Sequence, residues 1–236
     1  MEKYNIDLSE LKDYLGFGVA GNFANHLGEA GEADEFSVIQ TKEKDAPKGL
    51  FPFYIPNHDT FLGEFPVCTH KINHNDMEHL QVEAEVALLC DFQYEDGKLI
   101  DLKPKYFGAF NDCSNRIQDG NKLSTKKNWG EFSKGISPDF IGIDNFEEDG
   151  ILSKFHIASF VRRDGILKDY GTTSAVKSYS YFFKQLKEWM IEKFNNQEDL
   201  GPLEKINPFI KDLDKHKGLL IAAEQQHILI LESITS

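Results

Sequence analysis

Residues Leu80 to Phe92 are extended and apolar in alternation, and Tyr94-Glu-Asp-Gly-Lys98 follows with Asp-Gly at its centre. A second apolar run, Tyr106 to Phe110, then opens into Asn111-Asp112-Cys-Ser-Asn-Arg116. Alternation predicts a strand and Asp-Gly a two-residue turn, so these segments are expected to form a hairpin. The hairpin constrains the chain because of what it carries at its open end. Glu83 and Glu85 are one pleat apart and project from the same face. Burying two like charges without compensation costs several kcal/mol, as an order of magnitude. A bound cation removes that cost, and Asp112 offers a third carboxylate. Glu83, Glu85 and Asp112 are therefore the candidate metal ligands. For Asp112 the alternative is a helix cap for the segment that follows.

With 236 residues, 40% of them hydrophobic, the chain can bury a substantial core. A formal net charge of -13 argues against nucleic acid as a partner, because phosphate binding needs a basic surface. No apolar run approaches the roughly 20 residues that span a bilayer. The first residues lack the basic and apolar segments of a signal peptide. Cys68, Cys90 and Cys113 are odd in number and irregular in spacing, which fits reduced thiols. Together these features lead us to expect a cytoplasmic protein with no membrane partner.

Before the hairpin, Leu8, Leu11 and Leu15 recur at helical spacing, with Asp7 or Ser9 as the cap. Gly16 to Gly21 reads as a strand ending in a tight turn, and Asn22 as a cap for the next helical turn. That turn puts His26 and Glu29 three residues apart on one face. They can form a base held in one tautomer by its carboxylate, or a solvated surface pair. Gly16-x-Gly-x-x-Gly21 also fits a dinucleotide fingerprint, but no βαβ pattern surrounds it. Gly28 to Gly49 reads as a mobile loop and candidate lid. Leu50 to Ile55 reads as a buried strand ended by Pro56. His70 and His74 have the spacing of a zinc pair only if helical, and Asn73-His-Asn-Asp76 reads as turn.

In the second half, Phe155 to Arg163 and Ile166 to Tyr170 read as strands joined at Asp164-Gly165. A long helix is expected from Ala175 to Phe194, with Phe182, Leu186, Trp189, Met190 and Phe194 on its apolar face. Gly218 to Ala223 and Ile228 to Leu231 read as final strands.

Several of these segments, in this order, resemble the fumarylacetoacetate hydrolase superfamily. The resemblance covers roughly residues 16–194. Asn22-Phe-Ala-Asn-His26-Leu-Gly-Glu29 is similar to its His-x-x-Glu turn, with Phe23 where the family has Tyr. Glu83-Ala-Glu85 and Asn111-Asp112-Cys-Ser-Asn-Arg116 resemble its metal signature. Lys127-Asn-Trp-Gly130 resembles its lysine motif, with Gly130 in place of Asp. Asp169-Tyr-Gly171-Thr-Thr173 resembles a later substrate segment. Ile55-Pro56 replaces Lys-Pro, the Gly-Pro after the lysine motif is not intact in Lys134-Gly-Ile-Ser-Pro138, and Ala222-Ala-Glu-Gln225 stands where Thr-Gly-Thr-Pro is expected.

The resemblance implies an α+β, mainly β fold: a mixed β-sandwich roll with peripheral helices. It implies a single domain over residues 1–236, with 1–50 as an N-terminal segment holding the candidate lid and 51–236 as the catalytic core. Implied too are Mg²⁺ or Mn²⁺ on Glu83, Glu85 and Asp112, and a homodimer. The activity implied is cleavage of a carbon–carbon bond next to a carbonyl through a metal-stabilised enolate. His26, Glu29 and Lys127 would be catalytic, and Arg116 and Thr173 would bind substrate. The first choice is hydrolysis of an acylpyruvate-like or fumarylacetoacetate-like dicarbonyl acid. An oxaloacetate-type decarboxylase, an isomerase, or a metal-binding descendant without catalysis are the alternatives.

Overall fold

The computed structural model describes residues 2–22, 39, 46–74, 80–116, 121–210 and 216–225. The chain opens with β1 (Lys3–Asn5), α1 (Leu8–Leu11), β2 (Leu15–Ala20), β3 (Gly49–Tyr54), β4 (Val67–Cys68) and β5 (Leu80–Gln81). The hairpin strands are β6 (Ala84–Glu95) and β7 (Lys98–Asn111), followed by β8 (Ser114–Asn115), α2 (Leu123–Lys127), β9 (Lys134–Ile136) and β10 (Asp139–Gly142). A second hairpin, β11 (His156–Arg163) and β12 (Ile166–Ala175), leads to α3 (Phe183–Asn196), α4 (Asn207–Ile210) and β13 (Lys217–Glu224). The fold is α+β and mainly β. No helix among the described residues is long and apolar enough to cross a membrane.

The main sheet has the order β1-β10-β7-β6-β13-β2-β3, with β9 branching from β7 and β4 pairing β9. It is mixed, because β13 runs parallel to β2 and antiparallel to β6. The β6–β7 hairpin turns at Asp96 (φ 50°) and Gly97 (φ 72°), the positive-φ pair that matches the twist of the flanking strands. The alternation read in the sequence predicts one solvated face for β6, but from Glu85 to Cys90 the strand is buried on both. Val86, Leu88, Cys90 and Phe92 face one apolar cluster together with Leu186, Met190 and Phe194 of α3. Ala87 and Leu89 face a second cluster with Phe51, Phe53 and Phe110. Glu83 and Glu85 share the parity of Ala87 and Leu89, so their side chains emerge at the edge of that second cluster.

Two sequence expectations are corrected. The first helix ends at Leu11 rather than Leu15, because Leu15 opens β2 in register with Gly218 of β13; Asp7 caps it by accepting from the Ser9 amide at 2.8 Å. The long helix starts at Phe183 rather than Ala175, since Ala175 still pairs with His156 across the second hairpin. The side-chain amide of Asn22 donates to the carbonyls of Tyr181 and Ala222, each at 2.8 Å, and the turn it is expected to cap lies outside the described residues. The glycines of the dinucleotide-like motif have a packing role instead. A Cβ on Gly16 or Gly18 would come within 2.6 Å of the Phe53 ring or 2.1 Å of the Phe51 ring. Residues 23–38, 75–79 and 226–236 lie outside the described residues, and with them the His26–Glu29 turn and the strand expected at Ile228 to Leu231. Most of the Gly28 to Gly49 loop lies outside them too.

Candidate metal centre

The open end of the β6–β7 hairpin brings the carboxylates together by register. Ala84 stands opposite Asn111 and Glu85 opposite Phe110. One step further, the Asp112 amide donates to the Glu83 carbonyl at 2.9 Å, so these two residues are cross-strand neighbours. The expected helix after Asp112 is replaced by β8, which pairs with β5, and Asp112 does not act as a helix cap. Glu83, Glu85 and Asp112 each offer an oxygen, all within 4.8 Å of one another, and none of the three is more than 5% exposed.

Two lysines enter this cluster from the other side. Lys127, at the end of α2, places its ammonium on Glu83 Oε2 and at 2.7 Å from Asp112 Oδ2. Its direction is set by the turn that follows, where Asn128 donates to the Phe53 carbonyl at 2.8 Å and accepts from the Gly130 amide at 2.9 Å. Lys134, at the start of β9, lies 2.8 Å from Asp112 Oδ1 and donates to the Cys113 carbonyl. Burial by itself would raise the Asp112 carboxyl, but the two ammoniums outweigh it and hold Asp112 below the usual carboxylate range. Burial pushes Lys134 down, with Asp112 acting against that shift. The neighbouring Cys113 thiol is pushed up to about 11 by burial, as expected of a packed thiol. Ser114 donates to Glu83 Oε1 at 2.5 Å, and Arg116 reaches the same oxygen at 3.3 Å while its Nε donates to Gln81 at 2.6 Å.

Of the residues singled out in the sequence, Glu83, Glu85, Asp112, Lys127 and Arg116 therefore share one site. Thr173 is exposed on β12, and His26 and Glu29 lie outside the described residues. His70 sits in a loop with its Nδ1 3.5 Å from the Cys68 sulfur, and the His70 to His74 segment is not helical, so the geometry of a zinc pair is absent there. Ser114 and Gln225 fall within stretches compared with family motifs but without a role of their own, and Lys134 is the residue that sequence reasoning missed. No spacing in the sequence marks Lys134; the β7–β9 ladder, with Gly135 opposite Asn111, is what places residue 134 beside Asp112. Gln225, 1% exposed, donates its backbone N–H to the Ala84 carbonyl at 2.8 Å, between the two glutamates.

The donor set is all oxygen and all anionic, and it fits a hard divalent cation. A cation shared by Glu83 and Asp112 competes with Lys127 for the same two oxygens. The Lys134 contact lies on the other oxygen of Asp112, where it can orient the carboxylate as an outer partner. Three carboxylates face Lys127, Lys134 and Arg116, so the cluster is close to neutral by itself. Adding a divalent cation makes it positive.

No curated protein matches the chain by sequence. Among solved structures, the apo form of 2-keto-3-deoxy-D-arabinonate dehydratase is similar over 92% of this chain and 70% of that one, at 15% identity and a TM-score of 0.51. A 5-carboxymethyl-2-hydroxymuconate delta-isomerase from Mycobacterium smegmatis is similar over 90% of this chain and 68% of that one, at 14% identity and a TM-score of 0.50. At such identities the likeness is one of fold, and the fold is the mixed, mainly β roll expected from the sequence. Residues 32–226 match the sequence profile described as a family of unknown function (DUF5718), and the chain belongs to that family.

Proposed function

We propose that the protein is a divergent member of the fumarylacetoacetate hydrolase superfamily and a metal-dependent enzyme acting on a carbon–carbon bond next to a carbonyl of an anionic dicarbonyl acid. The observation that carries this reading is the convergence of Glu83, Glu85 and Asp112 in a buried cluster, with Arg116 at its edge. Mg²⁺ or Mn²⁺, held by these three carboxylates, would supply polarisation of a substrate carbonyl. The chain's own residues supply the rest. Arg116 keeps 34% of its side chain exposed, against 9% for Lys127 and none for Lys134. It is therefore the cation best placed to bind a substrate carboxylate, and a positively charged, metal-loaded centre favours an anionic ligand. Lys127, which competes with the cation for Glu83 and Asp112, would be released toward the substrate on metal binding, and Thr173 is assigned to substrate contact. His26 takes the proton from the attacking water, with Glu29 fixing its tautomer.

Hydrolysis of an acylpyruvate-like or fumarylacetoacetate-like acid is the first choice. Decarboxylation, isomerisation or dehydration of a 2-oxo acid would use the same polarised carbonyl, and the two fold neighbours named above are a dehydratase and an isomerase. The test is a spectroscopic screen of 1,3-dicarbonyl and 2-oxo acids with Mg²⁺ and with Mn²⁺. Turnover that disappears in His26→Ala supports the reading, and the product identifies the reaction. Absence of turnover across the panel contradicts it. That result would favour the second reading, a non-catalytic descendant. Its supporting observation is that Glu83 and Asp112 already have lysine partners.

A further inference from the structure

Glu83 and Asp112 are held in the same way: each carboxylate has one oxygen on the Lys127 ammonium and the other oxygen tied by a separate donor. The Lys127 ammonium meets Glu83 Oε2 and lies 2.7 Å from Asp112 Oδ2. On the outer side, Ser114 donates to Glu83 Oε1 at 2.5 Å, with Arg116 on the same oxygen at 3.3 Å. Lys134 lies 2.8 Å from Asp112 Oδ1.

The two lysines differ in how firmly they are kept. Lys127 is the last residue of a short helix and retains 9% of its side-chain exposure, whereas Lys134 retains none. The Lys134 backbone is enclosed on both edges, because β9 pairs with β4 on one side and β7 on the other. Its N–H donates to the Pro66 carbonyl at 3.0 Å. The ammonium also donates to the Cys113 carbonyl and lies 5.4 Å from the centre of the Trp129 ring. A buried ammonium without a path to water keeps its partners, since no solvent replaces them. Lys127 can therefore yield its place to a cation, and Lys134 cannot.

This difference bears on which cation fits. Ca²⁺ takes about six to eight oxygens and often draws both oxygens of one carboxylate. Mg²⁺ demands a near-ideal octahedron and keeps several waters beside one or two carboxylates. Here two of the three carboxylates have a single oxygen to give once Lys127 leaves. An ion that also reached Asp112 Oδ1 would stand against the fixed charge of Lys134. No family motif contributes that charge, because Lys134 opens the stretch in which the Gly-Pro after the lysine motif is not intact.

We propose that Lys134 is a positioning residue that decides between cations: by holding Asp112 Oδ1 it confines Asp112 to one-oxygen ligation and sets the centre against Ca²⁺. Ser114 imposes the same restriction on Glu83. The inference rests on the reading of Glu83, Glu85 and Asp112 as metal ligands, and adds to it the residue that gives the site its selectivity. Outer partners of this kind orient a ligand without touching the ion, and their loss commonly changes metal affinity about 10–100-fold.

The experiment is competition between Ca²⁺ and Mn²⁺ for the 236-residue chain, followed through the resonance signal of free Mn²⁺. The quantity read is the ratio of the two dissociation constants, because removing an ammonium strengthens the binding of both divalent ions alike. Wild type is expected to bind Mn²⁺ more tightly than Ca²⁺. In Lys134→Met that preference should fall by at least about ten-fold. Lys134→Gln, whose shorter side chain also lacks the charge, should shift the ratio in the same direction and serves if the methionine variant does not fold. Lys134→Arg should keep the wild-type ratio. Ser114→Ala should lower it by a smaller factor, since Arg116 still reaches Glu83 Oε1. Circular dichroism on each variant reports folding. An unchanged ratio in a folded Lys134→Met or Lys134→Gln chain, or a wild type that binds Ca²⁺ as tightly as Mn²⁺, would overturn the proposal. A wild type that binds neither ion would remove the metal centre itself, and the proposal with it.

Discussion

Lys134 Nζ lies 2.8 Å from Asp112 Oδ1, and neither side chain is more than 1% exposed. A buried pair of this kind adds little net stability, because desolvation offsets most of the attraction. Breaking it from one side is another matter. Lys134→Met leaves Asp112 with Lys127 alone and should cost about 3–5 kcal/mol in urea unfolding. Adding Asp112→Asn to that variant should recover much of the loss. A single variant as stable as wild type would show that the pair is not formed in solution.

Gly18 lies under the Phe51 ring, and Lys127 stands over the same ring at 5.5 Å from its centroid. Gly18→Ala should therefore destabilise the fold by about 1–3 kcal/mol through overpacking. It should also disturb Lys127. Phe51→Leu in the same chain should return part of the stability, which thermal unfolding of the three variants would reveal.

Phe194 of α3 meets Phe17 and Phe92 edge-on, with centroids 5.0 and 5.5 Å apart. It joins the helix to two strands of the sheet. Phe194→Ala should cost about 3–5 kcal/mol, the range for removing a fully buried aromatic ring. A loss below 1 kcal/mol, measured by equilibrium unfolding, would mean that the helix is not docked as described.

Glu204 supplies a pH test away from the candidate centre. Burial raises its carboxyl above the ordinary value, with the Ser124 hydroxyl acting the other way. A raised carboxyl favours the protonated form in the folded protein. Its contribution is fully present below the unfolded value of about 4.3 and is lost as the pH rises through the folded value. Glu204→Gln should then gain stability relative to wild type between pH 4 and 7. Parallel melting curves across that interval check the sign, and a constant difference would contradict it.

Much of the fold was legible where local rules act alone. Asp96-Gly97 identified the first hairpin, Asp164-Gly165 the second, and the glutamates of Glu83-Ala-Glu85 emerged on one face. What local rules could not supply was the register. Extending the ladder from Glu95 opposite Lys98 without interruption would put Phe110 opposite Glu83. Irregularities at Leu89/Cys90 and at Gln93/Tyr94 shift it by two residues, and two shifts restore the original face. Only then does Asp112 stand beside Glu83. Lys134 escaped notice for a similar reason, since its partner is set by the pairing of β9 with β7 rather than by any spacing in the chain. The apolar spacing of α3 continues backwards past its start, but Ala175 closes the β11–β12 ladder and Val176 to Ser178 make a separate 3-10 turn before the helix begins at Phe183.

The metal centre proposed above requires Glu83, Glu85 and Asp112 to hold a divalent cation in competition with Lys127. Titrating Mn²⁺ into the 236-residue chain while following the free-ion electron paramagnetic resonance signal decides whether they do. Wild type is expected to bind Mn²⁺ saturably, with displacement by Mg²⁺ and loss of binding in both Glu83→Gln and Asp112→Asn. Mn²⁺ binding that persists unchanged in both variants, or a wild-type chain that binds none, would contradict it.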